Sequence, residues 1–260
     1  MKFSEQWLRE WVDPPLTTEE LVAQLTGAGL EVASWGPMIA AFEGVLVGEV
    51  LEVEPHPSAD RLRLCQVDIG ADRPLSIVCG APNVRPGLRA PLARVGARLP
   101  DGTTIEAASI RGIASAGMLC SARELGFSED ATGLLELPTD APRGADLVDY
   151  LGLRDVSIDV DLTPNRGDCL SIAGIAREVG VLNRQPVRGI AVPPVPSTVE
   201  HRLPVVLDAD HDCPHYVGRV IRNVDVRVPT PLWLRERLRR SGVRSLGAVV
   251  DITNYVMLEL

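Results

Sequence analysis

The hydrophobic positions of the first forty residues follow a helical spacing, and capping residues mark where two helices begin. Ser4 precedes a run with tryptophan and leucine on one face, and the proline-containing break at residues 13–15 ends it, because proline lacks a backbone donor. Thr17 and Glu20 have the spacing of a capping box, and Gly27 is the predicted end of the second helix. These patterns predict two short helices followed by an extended segment.

Short apolar segments separated by turn residues replace the helical pattern between residues 42 and 148. The predicted strands are Val45–Val53, Leu62–Ile69, Leu75–Cys79, Leu88–Val95, Thr103–Ile110 and Leu134–Leu137. Several short strands with no long helix between them are typical of a small closed barrel rather than a parallel α/β sheet.

Helical spacing returns at Ser171–Asn183, where the apolar residues fall on one face. A proline-rich stretch follows at residues 192–200. Each proline fixes its own φ and removes a donor, so this stretch is predicted to be a stiff linker between domains. Beyond the linker we predict a strand pair, Pro204–Leu207 and Tyr216–Val228.

The last forty residues predict a further helix and an apolar end. Thr230 is the predicted N-cap of this helix, Pro231 its first residue and Gly242 its stop. The final segment, Val249–Leu260, is apolar and has no glycine, proline or polar tail to end it. We therefore expect the chain to continue in a longer protein.

Composition and charge limit the class of protein. The chain is 45% hydrophobic and 23% charged, so it can bury a core and is neither disordered nor fibrous. No apolar run is long enough to span a bilayer, and the polar N-terminus does not resemble a secretory signal. We expect a cytoplasmic protein without a membrane partner.

The net charge of −9 argues against nucleic-acid binding over the whole surface, because phosphate contacts need cations. The charge is unevenly distributed. Residues 42–148 contain ten arginines and fifteen acids, whereas residues 201–260 contain nine arginines and seven acids. Any contact with nucleic acid is therefore expected to be local.

Metal and nucleotide signatures are missing from the sequence. The five cysteines form no CxxC pair and do not lie at paired spacing with the histidines, so we expect buried reduced thiols and no metal site. The sequence also lacks a P-loop or a Rossmann fingerprint. An independent metal- or nucleotide-dependent enzyme is accordingly disfavoured.

Six stretches in a fixed order provide the most specific signal. They are Met1–Val12, His56–Leu62, Ile77–Asn83, Gly117–Ser121 with Glu124–Gly126, Thr163–Leu170 and Val249–Val256. In order and in content they resemble the bacterial phenylalanyl-tRNA synthetase β subunit, whose known members are much longer. The resemblance covers essentially the whole chain and corresponds to the N-terminal portion of that family.

The resemblance implies an α+β multidomain fold. Residues 1–41 and 149–191 would form a split α+β domain, into which an OB-fold β-barrel similar to tRNA-binding domains is inserted at residues 42–148. After the linker at 192–200, residues 201–260 would begin an α/β editing domain and leave it incomplete.

The resemblance also implies a function. Members of the family assemble with an α subunit as an (αβ)₂ heterotetramer that uses ATP and Mg²⁺ to charge tRNA(Phe) with phenylalanine. Activation takes place on the α subunit, so no catalytic residue, metal or cofactor is expected in this chain. Its roles would be scaffold, auxiliary tRNA contact and part of the editing site. The alternative is a free-standing tRNA-binding or assembly module without catalysis.

Two residues match editing-pocket positions by similarity. Arg244 would orient the aminoacyl ester through charge-assisted hydrogen bonds, and Thr253 would help to position a water, although a capping role is an open alternative for Thr253. Editing removes tyrosine from the phenylalanine tRNA, since a hydrophobic pocket rejects an added hydroxyl only weakly. The family's other pocket residues lie beyond residue 260, so we expect this chain alone not to deacylate tRNA.

Arginines are the candidates for tRNA contact. They are Arg85, Arg89 and Arg111 on the barrel, and Arg235, Arg239 and Arg240 on the basic helix. An ordinary solvated helix face explains the second group equally well. The barrel has an excess of acids and contains only two aromatic residues, Phe42 and Phe127. OB folds bind single strands through a positive groove with stacking rings, so we expect the isolated chain to bind tRNA weakly.

Overall fold

The computed structural model describes residues 1–39, 41–129 and 131–260 and shows a mixed α+β chain built on antiparallel sheets. The strands are β1 Lys2–Ser4, β2 Glu31–Pro37, β3 Glu43–His56, β4 Ala59–Asp68, β5 Leu75–Cys79, β6 Arg89–Arg98, β7 Ala108–Ile110, β8 Ile113–Ser115, β9 Gly117–Leu119 and β10 Val156–Asp161. The helices are α1 Glu5–Trp11, α2 Thr18–Gly27, α3 Leu147–Tyr150, α4 Ile172–Asn183, α5 Leu232–Arg240 and α6 Ala248–Glu259, with a 3₁₀ helix at Pro164–Cys169.

A three-stranded sheet joins distant parts of the chain. Its strand order is β1-β10-β2, and Phe3 lies opposite Ile158, which in turn lies opposite Trp35. The buried residues of α1, α2 and α4 pack on this sheet in one cluster that includes Trp7, Leu25 and Ile172. Segments before and after the middle of the chain therefore share one hydrophobic core.

The helix starts predicted from capping residues are confirmed. The Ser4 hydroxyl accepts from the Trp7 amide at 3.1 Å, and Thr17 and Glu20 form both bonds of a capping box, at 3.2 and 2.8 Å. Caps are read correctly because they depend only on neighbouring residues.

The middle of the chain forms a curled five-stranded antiparallel sheet of order β5-β4-β3-β6-β9. The long strand β3 contributes Val45 and Val47 to one buried cluster and Val50 to a second. Its pairing is interrupted between Val50 and Glu52, and such irregularities increase local twist. The strands β5 and β9 are the outer strands of this sheet.

Two strand predictions in this region need correction. The predicted strand Leu134–Leu137 is not a strand: its leucines are buried, and the Leu135 and Leu137 amides donate to the Cys120 and Arg89 carbonyls. The predicted strand Thr103–Ile110 shortens to β7. Both segments are apolar enough for a strand, but neither has a neighbouring strand free along its length.

The strand pair predicted after the linker is wrong. Residues 201–228, all of which the structure describes, contain no helix or strand. Apolar side chains such as Val206 and Val217 are 79% and 78% exposed, so no packing partner supports a ladder. The helix that follows begins at Leu232, with Pro231 rather than Thr230 in the N-cap position, and Gly242 ends it at φ +76° as predicted.

The two C-terminal helices dock on the N-terminal core through an arginine and three aromatic rings. The Arg237 guanidinium carbon lies 5.1 Å from the ring centre of Trp7 and 5.9 Å from those of Trp233 and Tyr255. The same guanidinium bonds both oxygens of Glu10 at 2.6 Å. Cation–π contacts and an ion pair thus fix α5 and α6 against α1.

Among the described residues, every helix is too short or too polar to cross a bilayer.

Candidate functional site

A cleft of about 770 Å³ separates the loops of the five-stranded sheet from α5. One wall includes Asn83, Ala122, Phe127, Leu134 and Leu137; the other includes Thr230, Arg235, Arg239, Arg244 and Ser245. Three of the arginines predicted to have a functional role, Arg235, Arg239 and Arg244, therefore line one concave surface, all on its helical wall.

The helical wall carries the positive charge of the cleft. Arg239 pairs with Glu236 at 2.8 Å, and its guanidinium carbon lies 5.3 Å from the ring centre of Phe127 on the opposite wall. The side chains of Arg235 and Arg244 form no ion pair or hydrogen bond with any residue that the structure describes. Two uncompensated cations therefore remain available to a ligand in the cleft.

Asp251 holds the two ends of the helical wall together. Its buried carboxylate accepts hydrogen bonds from the hydroxyls of Thr230 and Ser245 and from the Leu246 amide at 2.9 Å. Burial raises the pKa of Asp251, but these hydrogen bonds outweigh burial and hold the pKa below its ordinary value. The ionised carboxylate thus fixes the loop that carries Arg244.

Arg240 faces away from the cleft. Its side chain is 10% exposed and pairs with the fully buried carboxylate of Asp155 at 3.0 Å, and it donates to the Leu151 carbonyl at 2.6 Å. Asp155 also accepts from the Ser4 hydroxyl at 2.5 Å. Sequence spacing on a basic helix suggested RNA contact for Arg240, but its surroundings are those of a structural anchor.

The barrel arginines lie apart from one another. Arg85 pairs with Glu136 at 2.8 Å at the rim of the cleft, and that pairing lowers the pKa of Glu136. Arg89 pairs with Glu49 at 3.0 Å. Arg111 is exposed in the turn between β7 and β8, at φ 50°. These three residues do not form a single cationic surface.

The two editing-pocket candidates are not brought together in the cleft. Arg244 is exposed and lines it. Thr253 is exposed on α6, is absent from the cleft lining, and donates its hydroxyl to the Val250 carbonyl at 2.7 Å. That bond is the local side-chain-to-backbone alternative expected of a threonine in a helix.

Asp168, Cys169 and Glu178 place one potential metal-ligand atom each within 4.8 Å of the others. Arg166 occupies their centre and donates to all three side chains, at 2.8 Å to Glu178 and 2.9 Å to Cys169. Hydrogen bonds from Arg166 lower the pKa of Asp168. The arginine already neutralises the acidic group, so a cation has no role there.

The cysteines behave mainly as packed thiols. Cys65, Cys79, Cys120 and Cys169 are buried, whereas Cys213 is exposed. Burial raises the pKa of Cys65 to about 11 and that of Cys120 to about 12, which keeps these thiols protonated and unreactive.

The sequence reasoning missed Phe127 and Asp251 as parts of this site. Asp251 had a usable signal, since it lies between the apolar residues Val250 and Ile252, and buried carboxylates need partners. The contact of Phe127 with Arg239 joins residues more than one hundred positions apart, and no local pattern predicts it.

Two family models match parts of the chain. The family described as "Putative tRNA binding domain" matches residues 45–146, and the family described as "B3/4 domain" matches residues 212–260. The first match includes the sheet wall of the cleft and the second includes its helical wall.

A solved structure, the C-terminal domain of Plasmodium vivax p43, is 24% identical in an alignment that covers 39% of this chain and 57% of the p43 chain, with a TM-score of 0.30. That TM-score is too low to support an argument.

Curated relatives match along the whole chain. The phenylalanine–tRNA ligase β subunit of Nitrosococcus oceani is 59% identical over 260 residues, and that of Methylococcus capsulatus is 57% identical over the same length. These alignments cover 100% of this chain and 33% of each relative, so the chain spans about one third of their length. At this identity along its whole length, the chain is similar to phenylalanine–tRNA ligase β subunits over the third of them that it spans.

Proposed function

We propose that this chain is the scaffold and auxiliary tRNA-contact portion of a phenylalanine–tRNA ligase β subunit. The observation that supports the proposal most strongly is 59% identity along all 260 residues to a β subunit. The whole enzyme would be a cytoplasmic (αβ)₂ assembly that attaches phenylalanine to tRNA(Phe). The proposal assigns ATP and Mg²⁺ to the α subunit, and therefore assigns no residue of this chain to them.

The proposed domain division has residues 1–41 and 149–191 in one split domain and residues 42–148 in an inserted OB-fold barrel. The core shared by α1, α2, α4 and β10 supports the first part. The tRNA-binding family match at 45–146 and the curled sheet support the second. Residues 192–200 would link these domains to the start of an editing domain at 201–260, in keeping with the B3/4 match.

An editing role for Arg244 and Thr253 remains a proposal about the whole β subunit. Arg244 lines an open cleft, but Thr253 does not. A hydrolytic site needs both an oriented ester and an activated water, and of the two candidate residues only Arg244 lines the cleft. We therefore assign no deacylation activity to this chain by itself.

A chimera tests the proposal. This chain replaces the matching third of the N. oceani β subunit, and the chimera is produced together with the N. oceani α subunit. We expect a heterotetramer that aminoacylates tRNA(Phe) at a rate comparable with that of the parent enzyme, because the scaffold and its tRNA contacts are preserved. The chimera without the α subunit is the inactive control.

A chimera that assembles with the α subunit yet charges tRNA(Phe) only at the background rate would contradict the proposal. Circular dichroism and gel filtration show whether the chimera is folded. If it is misfolded, this chain is immobilised alone, and retention of the α subunit is measured as a second readout. A chain that binds tRNA but neither retains the α subunit nor supports charging would instead favour the free-standing module.

A further inference from the structure

We propose that the segment formed by residues 208–215 binds a Zn²⁺ ion, with His211, Cys213 and His215 as ligands. The segment lies between the proline-rich linker and α5, within residues 201–228, which the structure describes in full and which contain no helix or strand. None of its residues lines the cleft. The inference therefore goes beyond the proposed function and does not depend on it.

Metal-ligating side chains are concentrated in this segment. Six of its eight residues carry a carboxylate, an imidazole or a thiol. Two of the four histidines of the chain lie here. Of the five cysteines, all of which the structure describes, Cys213 is the exposed one. The thiol that the fold leaves accessible thus lies among imidazoles and carboxylates.

The spacing of the proposed ligands suits one ion. His211 and His215 are four positions apart, which is a histidine spacing found in structural zinc sites, and Cys213 lies midway between them. A proline restricts the residue before it to extended backbone, so Pro214 favours an extended Cys213. Side chains two positions apart in an extended chain lie on the same side, which favours a common side for the thiol and the imidazole of His215.

A turn and a carboxylate prepare the first half of the site. The Asp212 and Cys213 amides both donate to the Ala209 carbonyl, at 3.1 and 2.9 Å, so the chain turns where the proposed ligands begin. The Nδ1 atom of His211 lies 3.3 Å from a carboxylate oxygen of Asp212. Histidines that bind metals commonly donate their other ring N–H to a carboxylate. This contact leaves the Nε2 atom of His211 for the ion.

The fold makes little other use of these donors. Every residue from 208 to 215 is exposed, and the Cys213 thiol donates only to the His215 carbonyl, at 3.7 Å. The His215 imidazole forms no hydrogen bond or ion pair with any described residue. The three donor atoms do not lie within 4.8 Å of one another, so the ion must draw the segment together. Because the segment is exposed, no core packing is lost when it closes.

The donor types select the metal. Thiolate and imidazole ligands together are typical of Zn²⁺, whereas Mg²⁺ and Ca²⁺ prefer oxygen ligands. When the ion binds, the Cys213 sulfur forms a bond to Zn²⁺ and the thiol proton passes to the solvent. The sequence predicts no metal site because it lacks a cysteine pair, but a site with one thiolate needs no pair. Asp210, whose carboxylate has no partner among the described residues, is the nearby candidate for a fourth ligand.

Cobalt titration tests the proposal, because a thiolate bound to Co²⁺ gives a charge-transfer band in the near ultraviolet. The reduced chain, freed of metal with a chelator, is titrated with Co²⁺ and then with Zn²⁺. The parent chain is compared with Cys213→Ser and His215→Asn. The matched control is His201→Asn, since His201 is also exposed but lies outside the segment. Circular dichroism shows whether each variant is folded.

We expect the parent chain to bind Co²⁺ with a charge-transfer band that Zn²⁺ removes. Cys213→Ser should abolish the band, and His215→Asn should raise Kd at least about tenfold, while His201→Asn stays within about twofold of the parent. A band that persists in Cys213→Ser would place the ion at another thiol, such as that of Cys169, and would overturn the assignment. Absence of the band from the parent, or equal losses in the two histidine variants, would overturn it as well. Displacement of Co²⁺ by Mg²⁺ at comparable concentration would identify a site made of carboxylates and reject the thiolate site.

Discussion

At the scale of single residues, Asp251 has the greatest influence on the cleft. Its carboxylate is fully buried and joins Thr230 before α5 to Ser245 and Leu246 before α6. A buried carboxylate is costly unless its lone pairs are satisfied, and here several donors converge on it. The consequence is a stability that depends on the ionisation of this one group.

Asp251→Asn is expected to lower the free energy of unfolding by about 1–3 kcal/mol at pH 7, because the amide can no longer accept from all of these donors. The pKa of Asp251 is lower in the folded chain than its ordinary value of about 3.9. The carboxylate therefore contributes its stability above about pH 4 and loses it as the pH falls through the folded-state pKa.

Urea denaturation of the parent and of Asp251→Asn between pH 7 and pH 3 measures this effect. The difference between them should narrow below about pH 4. Asp208→Asn, at an exposed position, is the control and should show no pH-dependent difference. A difference between parent and Asp251→Asn that stays constant over the whole range would contradict the prediction.

The sequence predicted side chains whose roles are local and missed those whose partners are distant. Ser4 and Thr17 were correctly identified as caps because the backbone amides that donate to their hydroxyls lie within three residues. Arg240 was predicted to face RNA, but its partner, Asp155, is 85 positions away. The position of such a partner is set by the tertiary fold, and the spacing of charges along a helix does not predict that fold.

At the scale of elements, the start of α4 leaves no room for a side chain at Gly174. A Cβ at Gly174 would lie 1.9 Å from the Asp168 carbonyl oxygen, because the 3₁₀ helix ends directly against the first turn of α4. The Gly174 amide also donates to the capping hydroxyl of Ser171 at 3.0 Å. The atoms that a Cβ would meet belong to the backbone of Asp168 and Cys169, so a side-chain rotation cannot relieve the clash.

Gly174→Ala should therefore destabilise the chain by at least about 1–3 kcal/mol, despite the higher helix propensity of alanine. Gly36→Ala is the matched control, since a Cβ there meets nothing within 4 Å. Thermal unfolding followed by circular dichroism compares the two variants. An alanine at 174 that raises the melting temperature would show that the close approach is absent.

The elements also show why strand prediction failed after the linker. Leu75–Cys79 was predicted with the bounds that β5 has, because that alternating segment pairs with β4 along its length. Tyr216–Val228 has comparable β-forming residues, yet Val217 and Val226 are 78% and 70% exposed. A strand requires a partner as well as a pattern, and the pattern alone does not show whether one is present.

At the scale of the whole molecule, one buried ion pair joins the C-terminal helices to the N-terminal core. Arg240 on α5 forms an ion pair with Asp155. The Asp155 carboxylate also accepts hydrogen bonds from the Ser4 hydroxyl and, at 3.1 Å, from the Gln6 amide. The pair therefore links three segments that are far apart in sequence. Removal of one partner would leave an uncompensated buried charge.

Arg240→Met should reduce the free energy of unfolding by about 3–5 kcal/mol, because Asp155 remains buried without its cation. Arg240→Met combined with Asp155→Asn should recover part of this loss. The exposed pair of Arg154 and Asp149, with side chains 77% and 62% accessible, provides the control, and Arg154→Met should cost less than about 1 kcal/mol. Equal losses for Arg240→Met and Arg154→Met would refute the anchoring role.

The rings around Arg237 give the molecule an optical property. Tyr255 lies 5.2 Å from Trp7 and 5.6 Å from Trp233, measured between ring centres. At such separations, the excitation energy of the tyrosine is transferred to the indole rings before the tyrosine can emit. Emission from Tyr255 is therefore quenched in the folded chain. Because Trp233 on α5 would stay beside Tyr255 even if both helices left α1, the appearance of this emission would report the separation of α6 from α1 and from α5, without any added label.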